Sequence, residues 1–143
     1  MKFHALVLFL FFASAYAEPD YRYFEGILKK IELRSLKLTE LCSGKPVDIN
    51  TLKFKRVKIW AINCGSCLSQ IRTIPTNDEL ILINIDQTKT EKKRSCLWTE
   101  TKSIRFISLH DTNNIIMQKA ENKLPLPVSL EVENFKIVKV HFN

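Results

Sequence analysis

Apolar runs alternate along the chain with polar breaks at the spacing expected of an α/β protein. Residues 57–62 combine β-branched and aromatic side chains and end at Asn63 and Cys64, which predicts a buried central strand. From residue 64 to 74, Leu68, Ile71 and Ile74 recur at three-residue spacing, which predicts a helix. Pro75, Thr76, Asn77 and Asp78 break that period, and residues 79–85, dense in Ile and Leu, predict a second strand buried on both faces. Two strands joined by a helix make a right-handed βαβ unit, so the pair is expected to run parallel.

Residues 86–102 are polar and charged apart from Cys96, Leu97 and Trp98, and predict a surface helix lying on the sheet. A short strand at 104–109, one or two helical turns at 113–120, and strands at 128–132 and 136–142 turning at Glu133 and Asn134 complete the pattern. At the other end, Tyr21, Tyr23, Phe24, Ile27, Leu28 and Ile31 fit either one face of a short helix or the start of a strand. The positions Ile31, Leu33, Leu36 and Leu38 read as a strand, and Gly44, Lys45 and Pro46 turn the chain into a second one at 47–49. The expected architecture is an α/β sandwich around a mixed sheet, entered through an N-terminal hairpin.

With 143 residues, the chain has the length of one domain. Residues 1–17 have the pattern of an export signal: Lys2, an apolar run over 5–12, and small residues at Ala15 and Ala17. The expected division is a signal peptide at 1–17 and a single domain at 18–143. The apolar run is short for a membrane span, so membrane association would require that the segment stay uncleaved. No cysteine stands at the cleavage point, which argues against a lipid anchor. Export, to a periplasm or the exterior, would place Cys42, Cys64, Cys67 and Cys96 where disulfides persist, and four cysteines allow three pairings. Cys42 and Cys96 read equally as a second bridge or as two buried small apolar residues.

The net charge of +7 raises the question of nucleic acid. Its lysines and arginines are dispersed, however, and the run Lys92, Lys93, Arg94 reads as a solvated helix face, so no nucleic-acid partner is expected. The same charge would suit acidic partners or a membrane surface.

Candidate chemistry centres on Cys64-Gly65-Ser66-Cys67, at the predicted strand-to-helix junction. At a helix N-terminus, unpaired N–H groups and the helix dipole favour a thiolate, which makes Cys64 the expected nucleophile. Cys67, a turn further in, is placed to attack a mixed disulfide on Cys64. Zinc is the competing use of such a pair. No second pair of ligand spacing exists and His4, His110 and His141 are scattered, so neither a metal nor a cofactor is expected.

The segment Trp60-Ala61-Ile62-Asn63-Cys64-Gly65-Ser66-Cys67 resembles the active-site segment of thioredoxins. Its flanks, with the Gly44-Lys45 turn, Val47-Asp48-Ile49 and Asn50-Thr51-Leu52 ahead of Val57, look most like the exported TlpA/ResA branch. The resemblance spans roughly residues 38–142. It implies a thioredoxin-like three-layer sandwich with a central mixed sheet, an N-terminal β-hairpin, and exported thiol–disulfide exchange with client proteins through Cys64 and Cys67. It further implies that Trp60 packs beneath the site and that Pro127 holds a cis peptide bond opposite the cysteines to position a substrate strand. Gly65 and Ser66 would tune the potential. Partners would be client disulfides or thiols and a redox recycling protein, with the chain itself a monomer.

Several positions depart from the family pattern. Lys58 stands where thioredoxins hold a buried Asp, and Gln70 where some relatives hold a Glu. Lys58 either brings its ammonium near the sulfurs, tuning them by favouring thiolate, or snorkels to the surface. Asn63 replaces a frequent aromatic and Ser66 a frequent proline. These changes keep open a second reading: a redox-inactive secreted binding or structural domain whose disulfides are locked.

Overall fold

The structure, a computed structural model, describes residues 18–75 and 79–143, so the segment read as an export signal lies outside the described residues. The first helix, α1 (Tyr21–Lys29), starts where the Asp20 carboxylate accepts the Tyr23 N–H at 3.2 Å, and it buries Phe24 and Leu28. The ambiguous N-terminal stretch is therefore helical. The strand expected from Ile31 does not form, because Leu33–Ser35 is a 3-10 turn closed by the Ser35 hydroxyl on the Glu32 carbonyl. What pairs antiparallel is shorter and later: β1 (Leu38–Glu40) with β2 (Pro46–Val47), joined through Gly44 at a positive φ of 71° that a side chain would strain.

The remaining elements are β3 (Arg56–Trp60), α2 (Gly65–Thr73), β4 (Leu80–Asn84), α3 (Lys89–Thr101), β5 (Ile107–Asp111), α4 (Ile115–Lys119), β6 (Val128–Glu133) and β7 (Lys136–Phe142). Among the described residues they form a seven-stranded sheet in the order β2-β1-β5-β4-β3-β6-β7. Strand β4 lies parallel between β3 and β5, whereas β6 runs antiparallel to β3, so the sheet is mixed. Every residue of β4 is buried, as the apolar run over residues 80–83 requires at the centre of a sheet covered on both faces.

Alternation along β3 divides the interior into two cores. Val57 and Ile59 join Ile81, Ile83, Phe24, Leu28, Ile116 and Ala120 on the α1 and α4 side. Trp60 joins Leu82, Cys67 and Ile71 on the side of α2 and α3. The two crossovers, β3-α2-β4 and β4-α3-β5, step the same way across the sheet, and right-handedness places both helices on that one face. Strand β5 begins three residues later than the sequence pattern suggests, because Ile104 and Phe106 pack against the second core instead of extending the strand. The last turn sits at Asn134 and Phe135, both with positive φ, one residue beyond the expected Glu133 and Asn134. Phe135 is held there by Phe54, 5.9 Å away edge-on, and by the Arg34 guanidinium 4.3 Å above its ring. Among the described residues no helix is long and apolar enough to cross a membrane.

Cys42, in the turn after β1, is bonded to Cys96 on α3, closing a separation of 54 residues between an exposed turn and a surface helix. The pairing settles the choice left open by the sequence, and it contradicts the alternative of a buried Cys42, which is exposed. Replacing both cysteines by serine is expected to lower unfolding stability by about 2–4 kcal/mol, read from urea denaturation of the otherwise oxidised protein, because the unfolded chain regains the freedom of that loop.

Candidate active site

Strand β3 ends at Trp60 and α2 begins at Gly65, so the four-residue turn between them has little room for alternatives. The Cys64 N–H donates to the Ala61 carbonyl at 3.1 Å, closing the turn, and Cys64 becomes the N-cap of α2. Its Sγ accepts the Cys67 N–H at 3.1 Å. Cys64 and Cys67 form a disulfide with a Cα–Cα distance of 5.2 Å. The two sulfurs differ in access: Cys64 is half-buried beside exposed Gly65 and Ser66, while Cys67 has no exposed surface. The Ser66 hydroxyl lies 3.7 Å from the Cys64 Sγ, and a Cβ added at Gly65 would meet nothing, so the approach to Cys64 is open.

Trp60 is fully buried in the core that contains Cys67, with its ring 5.4 Å from that of Trp98 on α3. Pro127 follows a cis Leu126–Pro127 bond. The next residue, Val128, pairs with Ile59, which brings the proline loop level with the end of β3. Leu126 packs against both cores, including the one that Cys64 borders. Trp60, Cys64, Cys67 and the proline loop are thus gathered at one end of β3.

Lys58 does not snorkel outward. It is only 4% exposed, and its Nζ donates to Gln70 Oε1 on α2 and, at 3.1 Å, to Ser129 Oγ on β6. The two positions where the family pattern places acids are therefore joined to each other by a hydrogen bond. Burial, with a smaller contribution from the like charge of Arg56, pushes the Lys58 ammonium pKa below its ordinary 10.5.

A buried polar network that the sequence pattern did not disclose supports the loop before Cys64. Asp86 Oδ2 accepts the Ile62 N–H at 2.9 Å, Asn84 Nδ2 at 2.8 Å and the Ser95 hydroxyl at 2.6 Å. Asn84 Oδ1 in turn accepts the Asp86 N–H at 3.0 Å, and His110 Nε2 donates to the Asp86 carbonyl. The one signal available was the intrusion of Asn84 into an otherwise apolar strand. From the exposed side, Asn63 Nδ2 reaches Glu91 Oε2 on α3 at 3.3 Å, tying the loop to the first turn of that helix.

Solved structures share this fold. A secreted disulfide oxidoreductase from Mycobacterium tuberculosis, homologous to DsbE of E. coli, matches with a TM-score of 0.57 at 17% identity, covering 78% of this chain and 85% of that one. StoA from Bacillus subtilis matches with a TM-score of 0.57 at 14% identity, over 78% of this chain and 90% of that one. An uncharacterized thioredoxin-like protein from Porphyromonas gingivalis matches with a TM-score of 0.58 at 25% identity, over 78% and 80%. No protein-family model matches the chain, and no curated protein matches its sequence. The chain has a thioredoxin-like α/β fold with a mixed central sheet.

Two outcomes follow from the buried polar groups. Asp86→Ala strands three buried donors and is expected to cost about 3 kcal/mol or more in urea denaturation, with faster hydrogen exchange at the Ile62 amide. Lys58 makes stability depend on pH in a definite sense. Below its depressed pKa the buried charge penalises the native state. As pH rises through that pKa towards 10.5, the native amine loses its proton before the unfolded one does, and stability increases. Urea denaturation of the oxidised protein across that alkaline window should show the gain, and Lys58→Met should lack it.

Proposed function

We propose that the chain is an exported thiol–disulfide oxidoreductase in which Cys64 exchanges with client proteins and Cys67 resolves the mixed disulfide. The observation that carries this reading is the asymmetry of the pair: an accessible sulfur at a helix N-cap bonded to a fully buried one. In the reduced state, the Cys67 N–H and the α2 dipole stabilise negative charge on Cys64 Sγ, which makes it the attacking thiolate. Attack on a client disulfide forms a Cys64–client bond and expels one client thiolate. Cys67, deprotonated, then attacks Cys64 Sγ, re-forms the Cys64–Cys67 bond and releases the second client thiolate. The reverse sequence oxidises a client dithiol.

Trp60 supports the turn from below, and Pro127, which has no N–H, borders the site where an extended client segment would lie. Gly65 and Ser66 leave the Cys64 sulfur uncovered. The clients in this reading are protein disulfides or thiols, a recycling protein restores the active form, and the chain acts as a monomer. Export is supported by the pattern of residues 1–17 and by the secreted nature of the M. tuberculosis neighbour. The second disulfide has a structural role here, because the Glu100 carboxylate within 4.8 Å of both its sulfurs disfavours a leaving thiolate.

A redox titration in thiol buffers, with alkylation and mass mapping of each cysteine, tests the reading. Cys64 and Cys67 are expected to interconvert reversibly at a potential between about −270 and −120 mV, and the value gives the direction of electron flow. Cys64→Ser should abolish catalysed reduction of insulin by dithiothreitol, while Cys67→Ser should trap a client on Cys64. A pair that stays closed below about −300 mV would instead identify a locked structural disulfide and a binding domain.

A further inference from the structure

We propose that Lys58 is the charge partner of Cys67: its buried ammonium stabilises the thiolate that Cys67 becomes when the Cys64–Cys67 bond opens, and this biases the site towards oxidising its clients. The inference rests on the exchange reading above and gives it a direction.

Three elements fix the amine. Val57 and Ile59 point into the core under α1 and α4, so Lys58, between them on β3, points to the α2 side. There its Nζ is bound to Gln70, which follows Cys67 on α2 by three residues and therefore lies on the same helix face, about 4.5 Å further along the axis. Ser129, directly across from Lys58 on β6, supplies the second acceptor. Leu82, its neighbour on β4, is apolar. The remaining charged influence is Arg56, two residues back on the same strand, and it has the same sign.

Both acceptors are neutral, and among the described residues no carboxylate forms an ion pair with Lys58. While the disulfide is closed, the ammonium is thus a buried cation without a counter-ion, an expensive arrangement. Its depressed pKa has the same origin. Opening the disulfide supplies the missing anion. A client thiolate attacks Cys64 Sγ, a client–Cys64 bond forms, the Cys64–Cys67 bond breaks, and its electron pair leaves on Cys67 Sγ. Cys67 is fully buried and one helical turn from the Lys58–Gln70 bond, so its thiolate and the ammonium relieve each other's desolvation. The client's second thiol then loses its proton to solvent and attacks the client sulfur bonded to Cys64. The client leaves oxidised, and Cys64 leaves as a thiolate at the N-cap. Two electrons have passed from the client dithiol to the pair, and no further reactant is needed.

The test compares wild type, Lys58→Met and Gln70→Glu, as full-length protein equilibrated with reduced and oxidised dithiothreitol or glutathione and quenched by alkylation. Lys58→Met removes the cation. Gln70→Glu gives the cation a standing partner, so the thiolate gains less by forming. Both are expected to lower the equilibrium constant for oxidising the buffer thiol by about tenfold or more and to raise the Cys67 thiol pKa seen by thiolate absorbance. The gap between wild type and Lys58→Met should close as pH rises and the amine loses its proton, a response that a purely structural lysine would not produce. If Lys58→Met does not fold, Gln70→Glu decides. Constants within about twofold of wild type, or a shift towards stronger oxidation, overturn the inference while leaving the exchange reading intact. A wild-type pair that does not open in either buffer overturns both.

Discussion

The burial of β3 on both faces is the constraint on which the rest of this structure depends. A strand covered by α1 and α4 on one side and by α2 on the other can end only at the sheet margin, and the chain must turn at once into the helix that covers it. That turn leaves Cys64 at the N-cap of α2 and Cys67 one turn inside, against Trp60 and Ile71. The difference in access between the two sulfurs follows from this geometry, since Cys64 and the exposed Gly65 and Ser66 form the solvent-facing start of α2, and Cys67 is the first residue of the helix buried against the sheet.

Positions next to this junction are held by charged side chains that a protein interior seldom tolerates. Asp86 accepts three hydrogen bonds through one oxygen, and Lys58 donates two through one nitrogen. Among the described residues neither forms an ion pair, so each relies on neutral dipoles to offset desolvation. Asp86 grips the backbone of Ile62, just ahead of the turn that carries Cys64, and fixes where the turn begins. Lys58 ties β3 to α2 beyond Cys67 and to β6 beside the proline loop, so one side chain joins the three elements that meet at the disulfide.

The Cys42–Cys96 bridge acts at a distance from that junction. It fastens the short turn after β1 to α3, at an edge of the sheet where β1 and β2 contribute only three and two residues. Edge strands this short bury little apolar surface, and a covalent link makes up for the missing contacts. Within α3 itself, the Thr88 hydroxyl accepts the Glu91 N–H and donates to the Glu91 carboxylate, so the helix is capped locally as well as clamped covalently.

Local patterning by itself determined the central βαβ unit, the second crossover helix, the closing β6 and β7, and the Cys64–Cys67 junction, because each depends on side-chain periods of two or about three and a half within a few neighbouring residues. It misjudged Ile31 to Leu38, where an apolar spacing compatible with a strand is satisfied equally by a 3-10 turn packed on the core, and the start of β5, where Ile104 and Phe106 serve a helix-side core before the strand begins. The tertiary structure alone decided the pairing of Cys42 with Cys96, the burial of Lys58 against Gln70 and Ser129, and the Asp86 network. Partners separated by 54, 71 and 24 residues meet only once the sheet has formed, and no local period encodes which distant polar group will satisfy a buried one.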